Sequence, residues 1–519
     1  MLLIVIAILI FEEVGMATEL RIYPGIGIAR LGDHPTAFFL SPEVPGIGPL
    51  ELTDDDTISP ISVHRAGGQV RRQGARFRVY EVESDASGTV TKYREITSKE
   101  AKIEWGVELA NQKADAGRFS SEDVPEGGTK RNPGVSSDQL VIKPEFPSIV
   151  GNNQSAVANR AGRFKGQDVY LGELRTDGVG RLIVLGGHGL SASVPAGKPI
   201  GDEANTSNNN FANNEFWHDD VSDGPVSAVV TFPGKPAIEL KDAWVIIAPP
   251  DFAPYTLGVT TLYDVAHQAG VLNGKLKSPS VPSFKRDILP ILQAVSNYRW
   301  VSDFSFWEKF PRDWAALGSK ANDALRKDAR TKLDDVAGGL IANLSFTRTQ
   351  TKLLDLWRDG TFIEDFGAVD TPTDINPDGL NLASLTQGVG GGFFPGIEGG
   401  IMMTYKELYA APFRITRVPF EHDGRGLTPA AGFITRNMAC PWQADFWECK
   451  WQGSDTIWWP AQRPIHVRRA GTPTTKVEWD RGIAEHRDLV THAMELGFVS
   501  QRVDGIDGVF EAERVLTEV

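Results

Sequence analysis

Residues 225–232 (PVSAVVTF) and 242–249 (DAWVIIAP) are short runs rich in β-branched residues, separated by Gly, Pro and charged positions. Similar runs lie before them: LRIY (20–23), ARFRVYEV (75–82), TKYREI (91–96) and GRLIVLGG (180–187). Several alternate apolar with polar residues, and Gly, Pro, Asn or Asp clusters separate them, the pattern of strands joined by turns. Helical spacing becomes strong only later. Residues 285–300, 305–331 and 332–358 carry apolar residues at i, i+3, i+4 with charges between, as in KLDDVAGGLIANL (332–344), and a last helix is expected over 481–497. Strands first and helices later argue for an α+β chain over alternating βαβ units. The expected division is an extension outside the fold (1–15), a β-rich N-terminal domain (16–275) and a mixed C-terminal domain (276–519).

The chain has 519 residues, which suits two or three domains. Its 53 basic and 67 acidic residues give a net charge of −14, which argues against a nucleic-acid or anionic-membrane surface. The apolar run at 2–11 (LLIVIAILIF) is too short for a transmembrane helix. It also lacks a preceding Lys or Arg and a small-residue cleavage motif, so it makes a poor signal peptide; a degenerate export signal is the alternative to an extension. No G-x-S-x-G, H-E-x-x-H or Walker A sequence is present. In Gly25-Ile26-Gly27-Ile28-Ala29-Arg30, Arg30 stands where a dinucleotide loop needs its third glycine, so this stretch is read as a turn. Gly186-Gly187-His188-Gly189 is read as a tight turn after a strand. The nine histidines are scattered and none shows metal-ligand spacing with another, so no metal is expected. His218-Asp219-Asp220 with Asp223 is read as a polar loop capped through Asx turns. The asparagine-rich 205–215 and the glycine-rich 386–400 are read as surface or functional loops.

Two cysteines, Cys440 and Cys449, are too few for a disulfide framework or a four-cysteine metal cage. Six of the thirteen tryptophans fall between Trp442 and Trp479, which directs attention to 435–464, TRNMACPWQADFWECKWQGSDTIWWPAQRP. If this piece is helical, the spacing of four puts Asp445 and Cys449 on one face, a turn apart. A carboxylate beside a thiol raises the thiol pKa, which suits neither a thiolate nucleophile nor its activation. It does suit a site where the sulfur is held in a bond and the carboxylate serves as a base. Three other readings stay open: tryptophans packed in a core or lining a pocket, a Cys440–Cys449 disulfide, and a carbohydrate-stacking platform.

Seven blocks in order carry a resemblance: IYPGIGIARLGDHP (22–35), GGQVRRQGARFRVY (67–80), GRLIVLGGHG (180–189), DDVSDGPVSA (219–228), FFPGIEGG (393–400), TRNMACPWQADFWEC (435–449) and WWPAQRP (458–464). With them the chain resembles the quinoprotein amino-acid oxidases, the lysine ε-oxidases and glycine oxidases whose cofactor, cysteine tryptophylquinone, is made from their own side chains. The resemblance implies that Cys449 and Trp459 form the cofactor, with Trp458 as the fallback, and that Asp445 is the catalytic base. Pocket positions are implied at Phe393 and at Trp217 or His218, with Trp442 and Trp447 beside the base. Cys440 lies outside the pattern and reads as an ordinary buried thiol. Trp459 lies ten positions after Cys449, a shorter connection than in better-known members. No secure match stands for the lysine that neighbours the quinone in the family; Lys450 and Arg463 are candidates.

The activity so implied is oxidative deamination of an amino acid or primary amine, an L-lysine ε-amine or a glycine-like substrate, with oxygen as acceptor and ammonia and hydrogen peroxide as products. Partial desolvation by Trp442, Phe446 and Trp447 is expected to raise the Asp445 pKa and keep it a competent base near neutral pH. A flavin-dependent monooxygenase is implied as maturation partner, which places maturation in the cytoplasm; a homo-oligomer and later export without a classical signal peptide stay open. The rival is an inactive relative that serves as a carbohydrate-binding or structural protein.

Overall fold

The computed structural model describes residues 18–53, 57–84, 90–118, 129–201, 210–338, 346–368, 375–390, 398–448, 461–501 and 508–517. The expected extension, residues 1–15, lies outside them. The β-rich runs become strands of one large sheet. They are β1 (Thr18–Tyr23), β2 (Ile26–Arg30), β3 (Arg72–Ser84), β4 (Val90–Ile96), β5 (Lys102–Val107), β6 (Glu173–Thr176), β7 (Leu182–Leu185), β8 (Ser222–Thr231) and β9 (Ile238–Ala248). Their order across the sheet is β5–β8–β9–β2–β3–β7–β6, with β1 and β4 flanking the distal half of the long β3. The run that opened the reading forms the antiparallel pair β8–β9, Ser222 facing Ile247.

The Gly25–Arg30 stretch is a correction: only Gly25 belongs to the bend after β1, and Ile26–Arg30 are β2 itself, parallel to β9 with Ile26 opposite Trp244 and Arg30 opposite Ala248. All five residues of β2 are buried. A strand covered on both faces reads as an unbroken apolar run, so no alternation betrays it. Gly27 is required by close approach, because a Cβ there would lie 2.4 Å from Cζ of Phe77.

The later half supplies α1 (Leu262–Leu272), α2 (Leu289–Asn297), α3 (Asp323–Gly338), α4 (Arg348–Arg358), α5 (Pro377–Thr386), α6 (Trp442–Glu448) and α7 (His486–His492). Helix α1 starts at a capping box of Thr261 and Asp264, and α4 at one of Thr347 and Gln350. The continuous helix expected over 305–331 is broken into 305–309, 314–317 and the start of α3. Pro311 has no N–H to continue the ladder, Asp313 caps a new start through Ala316, and Gly318 ends it. The expected 332–358 helix is likewise the tail of α3 and then α4. Of 481–497 only α7 and a 3₁₀ turn (Ala493–Glu495) are helical. Strands β10 (His466–Arg469), β11 (Thr472–Glu478), β12 (Phe498–Gln501) and β13 (Phe510–Ala512) make a second sheet, ordered β11–β10–β13–β12.

The chain is therefore α+β. One core runs through both halves, joining Phe77, Trp105 and Val245 of the large sheet to Trp307, Trp357, Trp442 and Trp479. Among the described residues no helix is long and apolar enough to cross a membrane.

Candidate active site

Helix α6 carries the proposed base. Pro441 precedes it, at a position where a missing N–H costs nothing. Trp442 and Phe446, four residues apart, pack edge to face with ring centroids 4.9 Å apart. Residues 442–446 are all buried, and Asp445, in the first turn, is 4 % exposed. The helix is described to Glu448; Cys449, Lys450, Trp458 and Trp459 lie outside the described residues, as does Phe393.

The carboxylates of the 219–228 block hold this helix and its approach. They are not a self-capped polar loop, as expected, but three fully buried groups with separate tasks. Asp219 Oδ2 accepts the Trp442 backbone N–H at 2.9 Å, at the helix start. Asp220 Oδ2 accepts the N–H groups of Gly189 (2.8 Å) and Leu190 (3.2 Å), and so fixes the turn after β7. A Cβ on Gly187 would lie 2.3 Å from that same oxygen, which is why this turn carries glycine. The turn in turn holds α6, since Gln443 donates to Gly189 O (3.3 Å) and accepts from Ser191 Oγ (2.7 Å). Asp223 accepts from Thr435 N (2.8 Å), Thr435 Oγ1 (2.7 Å), Ile434 N (3.1 Å) and Trp244 Nε1 (2.9 Å). Burial pushes the Asp223 carboxyl up to about 6 against those hydrogen bonds; burial and the neighbouring Asp219 push Asp220 up to about 8.

Two buried cations face the same region. Lys113 Nζ lies 2.7 Å from Asp219 Oδ2 and donates to Ala439 O at 2.9 Å, with both charged side chains fully buried. Arg131 donates to Lys113 O (2.8 Å), Arg436 O (3.1 Å), Asn437 O (3.4 Å) and Asn213 Oδ1 (3.1 Å). No motif marks either residue, so the sequence reading missed both. The asparagine-rich segment is partly structural for the same reason: Asn214 donates to Phe211 O (2.6 Å) and Cys440 O (2.9 Å) and accepts from Gly201 N (2.8 Å).

Cys440 is a free, buried thiol whose Sγ donates to Trp217 O at 3.2 Å; burial and then Asp219 push its pKa up to about 12. Trp217 packs with Cys440 and Ala444, against α6. Its neighbour His218 is instead 5.0 Å from the Phe164 ring, as strand neighbours facing opposite ways require. Of the two register alternatives, the fold thus brings Trp217 to the helix. Trp447 is half-buried near His486.

The flanks of the two segments that carry Phe393 and Trp459 meet on one buried centre. Arg30, at the end of β2, donates to Gln387 O (2.8 Å) and pairs with Glu398 Oε1 (2.9 Å), while Glu398 Oε2 accepts Val389 N (3.0 Å). Gln462 donates to the same Gln387 carbonyl at 3.0 Å. Arg463 donates to Phe446 O at 2.6 Å and to Asp480 at 2.7 Å, and lies over the Trp479 ring. Arg30 is the residue that spoiled the dinucleotide motif; its position in that motif was its signal.

The L-lysine epsilon oxidase N-terminal family model matches residues 23–247, and the C-terminal domain model of the same family matches 330–470. L-lysine 6-oxidase of Marinomonas mediterranea is 29 % identical, over 83 % of this chain and 71 % of that protein. A solved epsilon-lysine oxidase structure from that organism has a TM-score of 0.76 at 25 % identity, covering 96 % of this chain and 95 % of that one. The Schiff base intermediate of the Marinomonas mediterranea L-Lys epsilon-oxidase with L-Lys gives 0.75 at 24 %, with the same coverage. In class, then, the molecule is an amino-acid oxidase. The chain belongs to the L-lysine epsilon oxidase family.

Proposed function

We propose that the chain deaminates a primary amine oxidatively, with the ε-amine of L-lysine as the first substrate to test, by means of a cysteine tryptophylquinone formed from Cys449 and Trp459. One observation carries the cofactor assignment: Arg463 Nε donates to Phe446 O at 2.6 Å. That bond brings the chain just after Trp459 back to the helix just before Cys449, so the intervening segment starts and ends in one place. Closing such a loop with a cross-link asks little further chain entropy. The described residues fit the group in a second respect: Trp442 Nε1 is a buried donor with no acceptor among them. The quinone would supply an electrophilic carbonyl for the amine and a sink for the electron pair that oxygen removes as hydrogen peroxide. Overall, amine, oxygen and water give aldehyde, ammonia and hydrogen peroxide.

The chain's own residues do the rest. Asp445 takes the proton from the amine-bearing carbon, within reach of which α6 holds it on a rigid, buried turn. Trp442, Phe446 and Trp217 keep water from the carboxylate. Arg463, engaged with Phe446 and Asp480, holds the backbone, which leaves Lys450 as the candidate lysine beside the quinone.

The test is co-expression with a flavin-dependent monooxygenase. Intact mass should show the Cys–Trp cross-link with added oxygen, visible quinone absorbance should appear, and L-lysine should give peroxide. Cys449→Ala and Trp459→Phe should lose the absorbance, while Cys440→Ala and Trp458→Phe keep it. An unmodified mass with a freely alkylatable Cys449 would refute the reading.

A further inference from the structure

Two carboxyls and one guanidinium are buried together at the end of β2. Arg30 Nη2 lies 2.9 Å from Glu398 Oε1 and 3.8 Å from Asp251 Oδ2, with side chains 2 %, 0 % and 6 % exposed, respectively. The sheet sets this up: β2 runs parallel to β9 with Arg30 opposite Ala248, so the chain leaving β9 carries Asp251 past the guanidinium. Asp251 Oδ1 accepts the Ala253 N–H at 2.9 Å and Glu398 Oε2 accepts that of Val389 at 3.0 Å, so each carboxyl is anchored by its other oxygen. Arg30 itself donates to Pro249 O at 3.1 Å and to Gln387 O at 2.8 Å. Gln462 donates to the same carbonyl at 3.0 Å, and Gln73 of β3 to Gln387 Oε1 at 2.5 Å. The centre thus ties β2, β3 and two later segments together. The other charged groups described around it have partners of their own. His64 and Arg71, which line a small cavity with Arg30 and Asp251, lie 2.9 Å from Glu513 and 2.6 Å from Glu51; Arg463, beside Gln462, lies 2.7 Å from Asp480. One guanidinium therefore faces two carboxyls, and ionising both would leave a buried net negative charge. Burial pushes both carboxyls up against the pull of Arg30; Asp251, with Glu398 beside it, reaches about 7.

We propose that Asp251 and Glu398 share one proton around Arg30 at neutral pH, and that its loss loosens the clasp by which Arg30 and Glu398 hold Gln387 and Val389. With the proton in place, one carboxylate pairs with Arg30 and the other carboxyl, neutral, needs no second cation. Without it, two carboxylates compete for one Nη2, and the one left over must be solvated by opening the centre to water. The clasp is then a pH-sensitive joint between the sheet and the later half of the chain. It does not depend on the oxidase reading.

The test is infrared difference spectroscopy of the whole protein, wild type minus Asp251→Asn and wild type minus Glu398→Gln. At pH 6 both differences should show a protonated-carboxyl band, because the carboxyl left in either variant has Arg30 to itself and ionises. The band should fade with rising pH at a midpoint of about 7, a value that belongs to the pair. A band present in only one difference describes an acid kept neutral by burial alone and would overturn the shared proton, as would a band in neither. Hydrogen exchange of the Val389 amide, compared at equal pH, is the second measurement, and it decides even if Glu398→Gln does not fold. Asp251→Asn keeps an oxygen for the Ala253 N–H and has no proton to lose. At pH 6 the variant and wild type should protect Val389 alike, and at pH 9 wild type should exchange several-fold faster. Equal protection at pH 9 would overturn the coupling of proton to clasp. Neither measurement needs quinone or turnover, so a chain without peroxide production refutes the oxidase reading alone.

Discussion

At the scale of single residues, the molecule uses its buried carboxyl groups to hold backbone. Asp219, Asp220 and Asp223 hold a helix start, a turn and the approach to that helix, respectively. Asp220 shows the consequence for stability. Its folded pKa, about 8, lies above the unfolded value near 4, so the folded state binds the extra proton between those limits. The stability it contributes is complete below about pH 4 and is lost as the pH rises through about 8. Asp220→Asn, neutral at every pH, removes that slope. Thermal melts from pH 5 to pH 9 should show the variant gaining steadily on wild type, by several degrees at the alkaline end; parallel curves would contradict the assignment. The sequence marked the aspartates as a cluster but not what each one holds. Adjacent side chains diverge, and their partners lie 30 residues away for Gly189 and Leu190 and over 200 away for Thr435 and Trp442.

At the scale of elements, what could be read followed periodicity and local chemistry. The alternating strands, the capping boxes of α1 and α4 and the helix beneath Asp445 carry their signals within a few residues. Strand β2 carries none, since covering both faces erases alternation and its glycines imitate a turn. Its packing makes a prediction. Gly27→Ala puts a methyl 2.4 Å from the Phe77 ring, in a strand whose neighbours cannot yield, and should cost about 1–3 kcal/mol in urea unfolding. Phe77→Leu in the same chain should recover part of that loss. Additive losses would show that the contact is not the cause.

For the whole molecule, long-range clasps join the two halves into one body. His64 and Arg65 close on Glu513 near the C-terminus: His64 Nδ1 lies 2.9 Å from Oε1, and the His64 and Arg65 N–H groups lie 2.8 and 2.9 Å from Oε2. Burial pushes the Glu513 carboxyl up, but these donors outweigh it and the net shift is downward. A lowered folded pKa contributes stability that is present above the unfolded value of about 4.3 and lost as the pH falls through the folded one. Glu513→Gln should therefore cost about 1.5–3 kcal/mol at pH 7, and the difference from wild type should shrink as melts are taken into acid. A loss that persists in acid would assign the effect to packing instead. By itself the sequence determined the class of fold, the segment 435–464 as the proposed place of the chemistry, and a family resemblance spread over blocks that each lie within a few residues. Only the tertiary structure decided that Lys113, Arg131 and the three aspartates converge on α6 and its approach, that Arg30 meets Gln387 and Glu398, and that Trp217 rather than His218 faces the helix. The physical reason is range. Periodicity and capping are local, whereas a buried charge is tolerable only beside its partner, and here the partners are as far apart as Lys113 and Ala439 or Arg30 and Gln387.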